Sequence, residues 1–221
     1  LMLFDLSTPE KAKISLDLYK KGKIDEVIFY HFTTYPANRK DELYKEIKPI
    51  REIIQNENTP LGSFLVENNM HIAFSKNNIA SLCVFDHEIR IEYGGILNNL
   101  ASRLYWDNGV SGFFVPKDFD YSCICFAPEI LRTIDKALVE LKTLPSPINL
   151  EEKWKHQNFK TYRVKAVVPI DKLEENPDHT LVDAAEKVGS GNPYDYDSQL
   201  MYLKPDNCNF IKVLDVEQYF K

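Results

Sequence analysis

Glycine is scarce in this chain, with eight residues in 221. Gly94-Gly95 and Gly189-Ser190-Gly191 stand alone, and neither opens a Walker or dinucleotide fingerprint. Those fingerprints need several glycines at fixed offsets so that backbone N–H groups can approach phosphates, so a Rossmann nucleotide site is not expected. No apolar run approaches the roughly 18 residues that cross a bilayer, and no membrane partner is expected. The chain has no G-x-S-x-G elbow, no H-E-x-x-H and no other metal-ligand spacing, so neither a serine hydrolase nor a metal cofactor is expected. It also lacks an excess of bases. Residues 171–197 hold eight acids (Asp171, Glu174, Glu175, Asp178, Asp183, Glu186, Asp195 and Asp197) and two lysines. Removing these from the 33 acids and 27 bases of the whole chain leaves 25 of each. A duplex-binding face draws its affinity from clustered bases, and none is visible.

What the chain has is ordinary core material. Hydrophobic residues make up 44% and aromatics 12%, which excludes a disordered chain and supports one domain over 1–221. A weak boundary falls at 143–149, where Leu144-Pro145-Ser146-Pro147 resembles a linker. The cysteines are Cys83, Cys123, Cys125 and Cys208. Cys123 and Cys125 alternate with apolar residues on one strand face, which suits small buried hydrophobes in a reducing compartment. The opening Leu1-Met2-Leu3-Phe4-Asp5 has no basic head or long apolar stretch, and a cytoplasmic location follows as the expectation.

The periodicity predicts mixed elements. Thr8-Pro9-Glu10 reads as a helix start and Lys20-Lys21-Gly22 as its end. Val27–Thr34 reads as a strand. Residues 39–56 have helical composition, with Leu43, Ile47, Ile50 and Ile54 on one face and Pro49 set to kink or divide it. Ser63–Val66, His71–Ser75, Ser81–Phe85 and Glu88–Tyr93 read as short strands. A helix is expected over 96–106 and a turn at Asp107-Asn108-Gly109. Val110–Val115 and Tyr121–Phe126 read as central strands. The stripe Ile130, Ile134, Ala137, Leu138 and Leu141 predicts a helix over Pro128–Lys142. Asn149 is expected to cap a short helix ending near His156. Strands at Lys160–Ile170, Ser198–Leu203 and Phe210–Val213 and a helix at Leu181–Val188 complete the pattern. The order lacks regular βαβ alternation, so the fold class is α+β, with mixed, mostly antiparallel sheets and flanking helices.

Two segments stand out chemically. His31 lies inside the apolar strand Ile28-Phe29-Tyr30-His31-Phe32-Thr33-Thr34, where an imidazole needs a partner if it is buried. It is either a satisfied core histidine or a group facing a cleft. Asn192-Pro193-Tyr194-Asp195-Tyr196-Asp197-Ser198-Gln199 alternates tyrosine with aspartate ahead of a strand. It is either a polar connection or a loop that stacks on a planar ring and binds ribose hydroxyls. Asp86-His87-Glu88 sits at a predicted hairpin turn, where polar residues are expected without a metal.

Phe29-Tyr30-His31-Phe32-Thr33 resembles the early "Y-H-[FI]-T" strand of the ADP-ribosyltransferase superfamily, notably its bacterial toxin and phage-defence branches such as the DNA-modifying DarT group. Asp197-Ser198-Gln199-Leu200-Met201-Tyr202-Leu203, with Ile211–Val213 after it, resembles the late strand that carries the family's catalytic glutamate. Leu104–Val115 resembles a stretch of relatives found near phage-resistance genes. Together these cover about 30 residues. The resemblance implies an ADP-ribosyltransferase-like fold and a transferase that uses NAD as substrate. ADP-ribose would pass to a macromolecular acceptor (protein or nucleic acid) or to water. It places His31 and Thr33 on NAD, Tyr105 or Tyr194 against nicotinamide, and Gln199 with Asp197 at the reacting ribose. Gln199 stands where the family has glutamate, and a neutral amide stabilises an oxocarbenium-like transition state less than a carboxylate does.

The alternative is a non-enzymatic immunity or antitoxin-like protein whose acidic 171–197 segment docks on a basic partner, with charge mainly raising the on-rate. A ribonuclease-type use of His31 would require His71, His87 or His156 beside it.

Overall fold

The computed structural model describes residues 2–95, 97–106, 108–116, 127–140, 142, 148–173, 181–191 and 200–219. Near the start, β1 (Leu3–Phe4) leads into helix α1 (Pro9–Lys20). The Thr8 hydroxyl accepts from the Lys11 N–H at 3.3 Å, Pro9 opens the first turn, and Gly22 leaves the helix at φ 65°. These are the cap, the proline and the stop expected of this segment.

Strand β2 (Glu26–Pro36) is the spine of the molecule. Strand β7 (Phe159–Pro169) pairs antiparallel along its whole length, from Glu26↔Pro169 to Pro36↔Phe159. The other edge of β2 is therefore shared. Strand β1 runs parallel to it at Glu26 and Val27, and β6 (Val110–Phe113) meets it antiparallel at Tyr30↔Phe113. Strands β8 (Leu200–Leu203) and β9 (Lys212–Gln218) add the flanks, in the order β8-β6-β2-β7-β9. Val27 and Phe29 of β2 and Tyr162, Val164, Ala166 and Val168 of β7 alternate onto one face. Helices α1 and α7 (Leu181–Gly189) close it with Ala12, Ala184 and Ala185.

The second layer comes from residues inserted between these strands. It contains α2 (Ile50–Gln55), α3 (Pro60–Glu67), the antiparallel meander β3 (Met70–Phe74), β4 (Ala80–Val84) and β5 (His87–Arg90), then α4 (Asn98–Tyr105). Helices α5 (Glu129–Glu140) and α6 (Leu150–His156) join the same core. Leu138 and Leu150, on either side of 143–149, are both buried in it. The α+β class with mostly antiparallel sheets and flanking helices is as expected.

Several local expectations differ in whole or in part. Phe210, expected to open the closing strand, lies in a 3-10 helix over Pro205–Phe210, and β9 begins at Lys212. Ser63–Val66 lies in helix α3, because the Thr59 hydroxyl accepts from the Gly62 N–H at 3.1 Å and Pro60 starts the turn. Residues 39–56 are divided at Pro49, one of the two outcomes expected, but the part before it is not an α-helix. A 3-10 helix spans Ala37–Tyr44, Pro49 ends the break, and Leu43 and Ile47 pack in one core while Ile54 packs in the other. Asn149 does not cap α6 with its side chain; it sits at φ 57°, and Asp135 of α5 accepts from the Leu150 N–H at 2.7 Å instead. Tyr121–Phe126, with Cys123 and Cys125, lies outside the described residues.

Candidate functional site

His31 occupies the middle of β2 on the face it shares with its cross-strand partner Val164. Val164 is fully buried, whereas the His31 residue retains part of its exposure. The β2–β6 ladder stops after the Tyr30↔Phe113 rung among the described residues. At the next position His31 Nδ1 lies 2.8 Å from the Ser111 carbonyl of β6. A carbonyl can only accept, so Nδ1 carries the proton and Nε2 presents a lone pair. Nε2 has no hydrogen-bond partner among the described residues. Burial lowers the imidazole pKa, against a smaller upward pull from the Ser111 bond, so the ring is neutral at pH 7. The result is a fixed, uncharged acceptor where β2 and β6 part.

The surroundings hold that ring in register. Gly112 precedes Phe113 on β6 and pairs with Met201 of β8, so Met201 lies level with His31 across the sheet. A Cβ on Gly112 would come within 2.8 Å of Phe29 Cδ2 and 3.0 Å of the Tyr30 carbonyl. Thr33 lies two residues along β2, on the same face as His31, and pairs with Tyr162. Farther along that face, the Tyr35 hydroxyl donates to Glu42 at 2.7 Å, and Arg39 pairs with the same carboxylate through Nε. On the opposite face Arg163 ties the sheet together: it donates to the Pro116 carbonyl at 2.8 Å and to Glu217 at 2.5 Å. Burial, with help from Asp5, pushes the Tyr30 hydroxyl up to about 12, so Tyr30 stays protonated and is not a base at neutral pH.

Of the residues expected at the site, the structure brings His31 and Thr33 onto one strand face. Tyr105 is elsewhere, on α4 in the second layer. Its hydroxyl accepts from the Ala80 N–H at 2.6 Å and donates to the Ile91 carbonyl at 3.1 Å. Only its ring remains to meet a ligand, and no hydrogen bond or ring contact joins it to His31 among the described residues. Tyr194, Asp197 and Gln199 lie outside the described residues, although β8 begins immediately after Gln199. His71 and His87 are exposed on the second sheet and His156 is exposed at the end of α6, none of them bonded to His31 among the described residues. Of the acidic segment, Asp171 pairs with Lys172 at 2.8 Å and Glu186 with Lys20 at 3.7 Å.

Sequence reasoning missed the Ser111 carbonyl, which is 80 residues from His31 and has no side-chain signature. It also gave no role to Trp106, which lines a cleft between α2 and the end of α4 and is 76% exposed. A tryptophan directly after an amphipathic helix is the sequence signal that could have found it. No group of three or more His, Cys, Asp or Glu side chains placed to hold a metal occurs among the described residues. No helix among them is long and apolar enough to cross a membrane.

The chain matches no family model, curated protein or solved structure.

Proposed function

We propose that this chain is an ADP-ribosyltransferase-like protein of the toxin or phage-defence type that binds NAD and cleaves it. The supporting observation is the state of His31. Its Nδ1–H is committed to the Ser111 carbonyl, and its Nε2 is a neutral acceptor suited to a ribose hydroxyl. A cationic imidazole would donate from both nitrogens and lose that ability.

In this reading His31 accepts from a ribose hydroxyl of NAD and Thr33, on the same face, offers a second hydroxyl contact. Gln199, with Asp197 beside it, contacts the nicotinamide ribose. Tyr194 or the ring of Tyr105 stacks on nicotinamide. The chemistry breaks the bond between the ribose carbon and the nicotinamide nitrogen, nicotinamide leaves with the electron pair, and an acceptor group or water adds to that carbon and loses a proton. The macromolecular acceptor, protein or nucleic acid, belongs to the same proposal, as does the cytoplasmic setting.

Calorimetric titration of NAD into the wild-type chain and into His31→Ala and His31→Gln tests the assignment. Saturable binding to the wild type, weakened at least tenfold in His31→Ala, is expected. A glutamine keeps an acceptor oxygen, so His31→Gln should fall between the two. Equal binding by all three proteins would remove His31 from the site.

A further inference from the structure

We propose that the cleft beside Trp106 binds a neutral carbohydrate of two or three rings. The cleft has a volume of about 690 Å³, within the range of pockets that hold ligands of that size. Trp106 supplies the apolar surface. It is 76% exposed, whereas Trp154, the only other tryptophan, is 1% exposed. Tyr93 props the Trp106 indole at 74°, with ring centroids 6.4 Å apart, without stacking flat on it. The Trp106 backbone is anchored as well. Its carbonyl accepts from the Tyr202 hydroxyl at 3.0 Å, and that hydroxyl takes the Gly109 N–H at 3.0 Å. An indole on an anchored backbone, met at its edge by Tyr93 and left in water, suits a flat, partly apolar ligand face.

The polar lining selects the ligand. Glu52 and Gln55 from α2, Asn108 after α4 and Asp206 after β8 present planar carboxylates and carboxamides. Such groups bond in pairs to vicinal hydroxyls, which both donate and accept. The formal charges of the lining cancel, with Glu52 and Asp206 set against Arg51 and Lys204 in number. The Arg51 guanidinium is already engaged, lying 3.9 Å from the Phe74 ring centre and donating to Asn78. A polyanion therefore finds no net attraction here, whereas a neutral polyhydroxylated ring finds an apolar platform and paired acceptors. His31 and Thr33 do not line this cleft but Tyr105 does, so a sugar seated here leaves Tyr194 as the ring against nicotinamide in the NAD reading.

The two tryptophans provide the assay. Acrylamide should quench Trp106 and spare buried Trp154. The full chain is titrated separately with maltotriose, cellotriose and chitotriose, and with a single-stranded oligothymidylate as the charged comparison. At least one trisaccharide should protect the quenchable fluorescence saturably, with affinity unchanged between low and high salt. Because Trp106→Ala removes the fluorophore, its affinity and that of Asp206→Asn are read by calorimetry with the same sugar. Each should bind about tenfold or more weakly while keeping the wild-type circular dichroism spectrum. Protection by the oligonucleotide alone, falling steeply with salt, would overturn the proposal in favour of nucleic acid. Protection by none of the probes, or full affinity in both variants, would overturn it outright.

Discussion

At the residue scale, the protonation of the His31 ring decides what the site can accept. Burial holds the His31 pKa below its usual 6.5, so the folded chain takes up its proton at a lower pH than the unfolded chain. The stability that follows is fully present above the unfolded value and is lost as pH falls through the folded one. Denaturant midpoints should therefore drop as pH falls below about 6.5, and His31→Gln should flatten that decline. NAD affinity should fall over the same acid range, because a proton on Nε2 removes the acceptor. Gly112 gives a second test. Its missing side chain leaves room for Phe29 and the Tyr30 backbone, so Gly112→Ala should cost about 1–3 kcal/mol in chemical denaturation and disturb the His31–Ser111 contact. His31 was legible as an interior strand histidine. Its partner was not, because a main-chain carbonyl reached across 80 residues is set by pairing and not by residue type.

At the element scale, α6 locks the second layer onto the sheet. Trp154 is buried, stacks on Phe159 with centroids 3.8 Å apart, and donates its indole N–H to Thr34 of β2 at 3.2 Å. Trp154→Ala should cost about 3–5 kcal/mol, measured by urea unfolding, whereas Trp106→Ala should cost little. Helix α6 is also clamped to α5 by Arg132 on Glu151. That hydrogen-bonded pair, with Lys155 in support, lowers the Glu151 pKa to about 2. A lowered carboxylate pKa stabilises above its unfolded value and stops doing so as pH falls towards 2. Arg132 is 43% exposed, so solvent screens the pair. Glu151→Gln should lose about 0.5–1 kcal/mol at pH 7 and nothing near pH 2.

Most helix ends were legible because caps are local: Thr8 and Pro9 announce α1 by themselves. Ser63–Val66 misled because four residues rich in β-formers outweigh a cap that stands four positions earlier, at Thr59. The cap of α6 could not be read at all, since it comes from Asp135 on another helix. That carboxylate keeps Oδ1 buried without a partner among the described residues, and burial raises its pKa.

At the scale of the whole molecule, the sheet is assembled from distant pieces and the second layer is inserted between them. Periodicity revealed the pieces and the α+β class. It could not reveal the order β8-β6-β2-β7-β9, because pairing partners are chosen by burial across the chain. This order puts β8, which follows Gln199, two strands from His31 with β6 between them. The charge balance of the sequence reappears as paired side chains, such as Lys20 with Glu186 and Lys212 with Glu26. A basic partner docked on Asp171 and Glu186 would meet solvent-exposed carboxylates, so salt should weaken any such complex steeply. The most direct measurement is calorimetric titration of the wild-type chain with NAD at pH 7.5, followed by assay of the same sample for free nicotinamide. Saturable binding with nicotinamide released is the predicted result. No heat of binding and no nicotinamide would contradict the account.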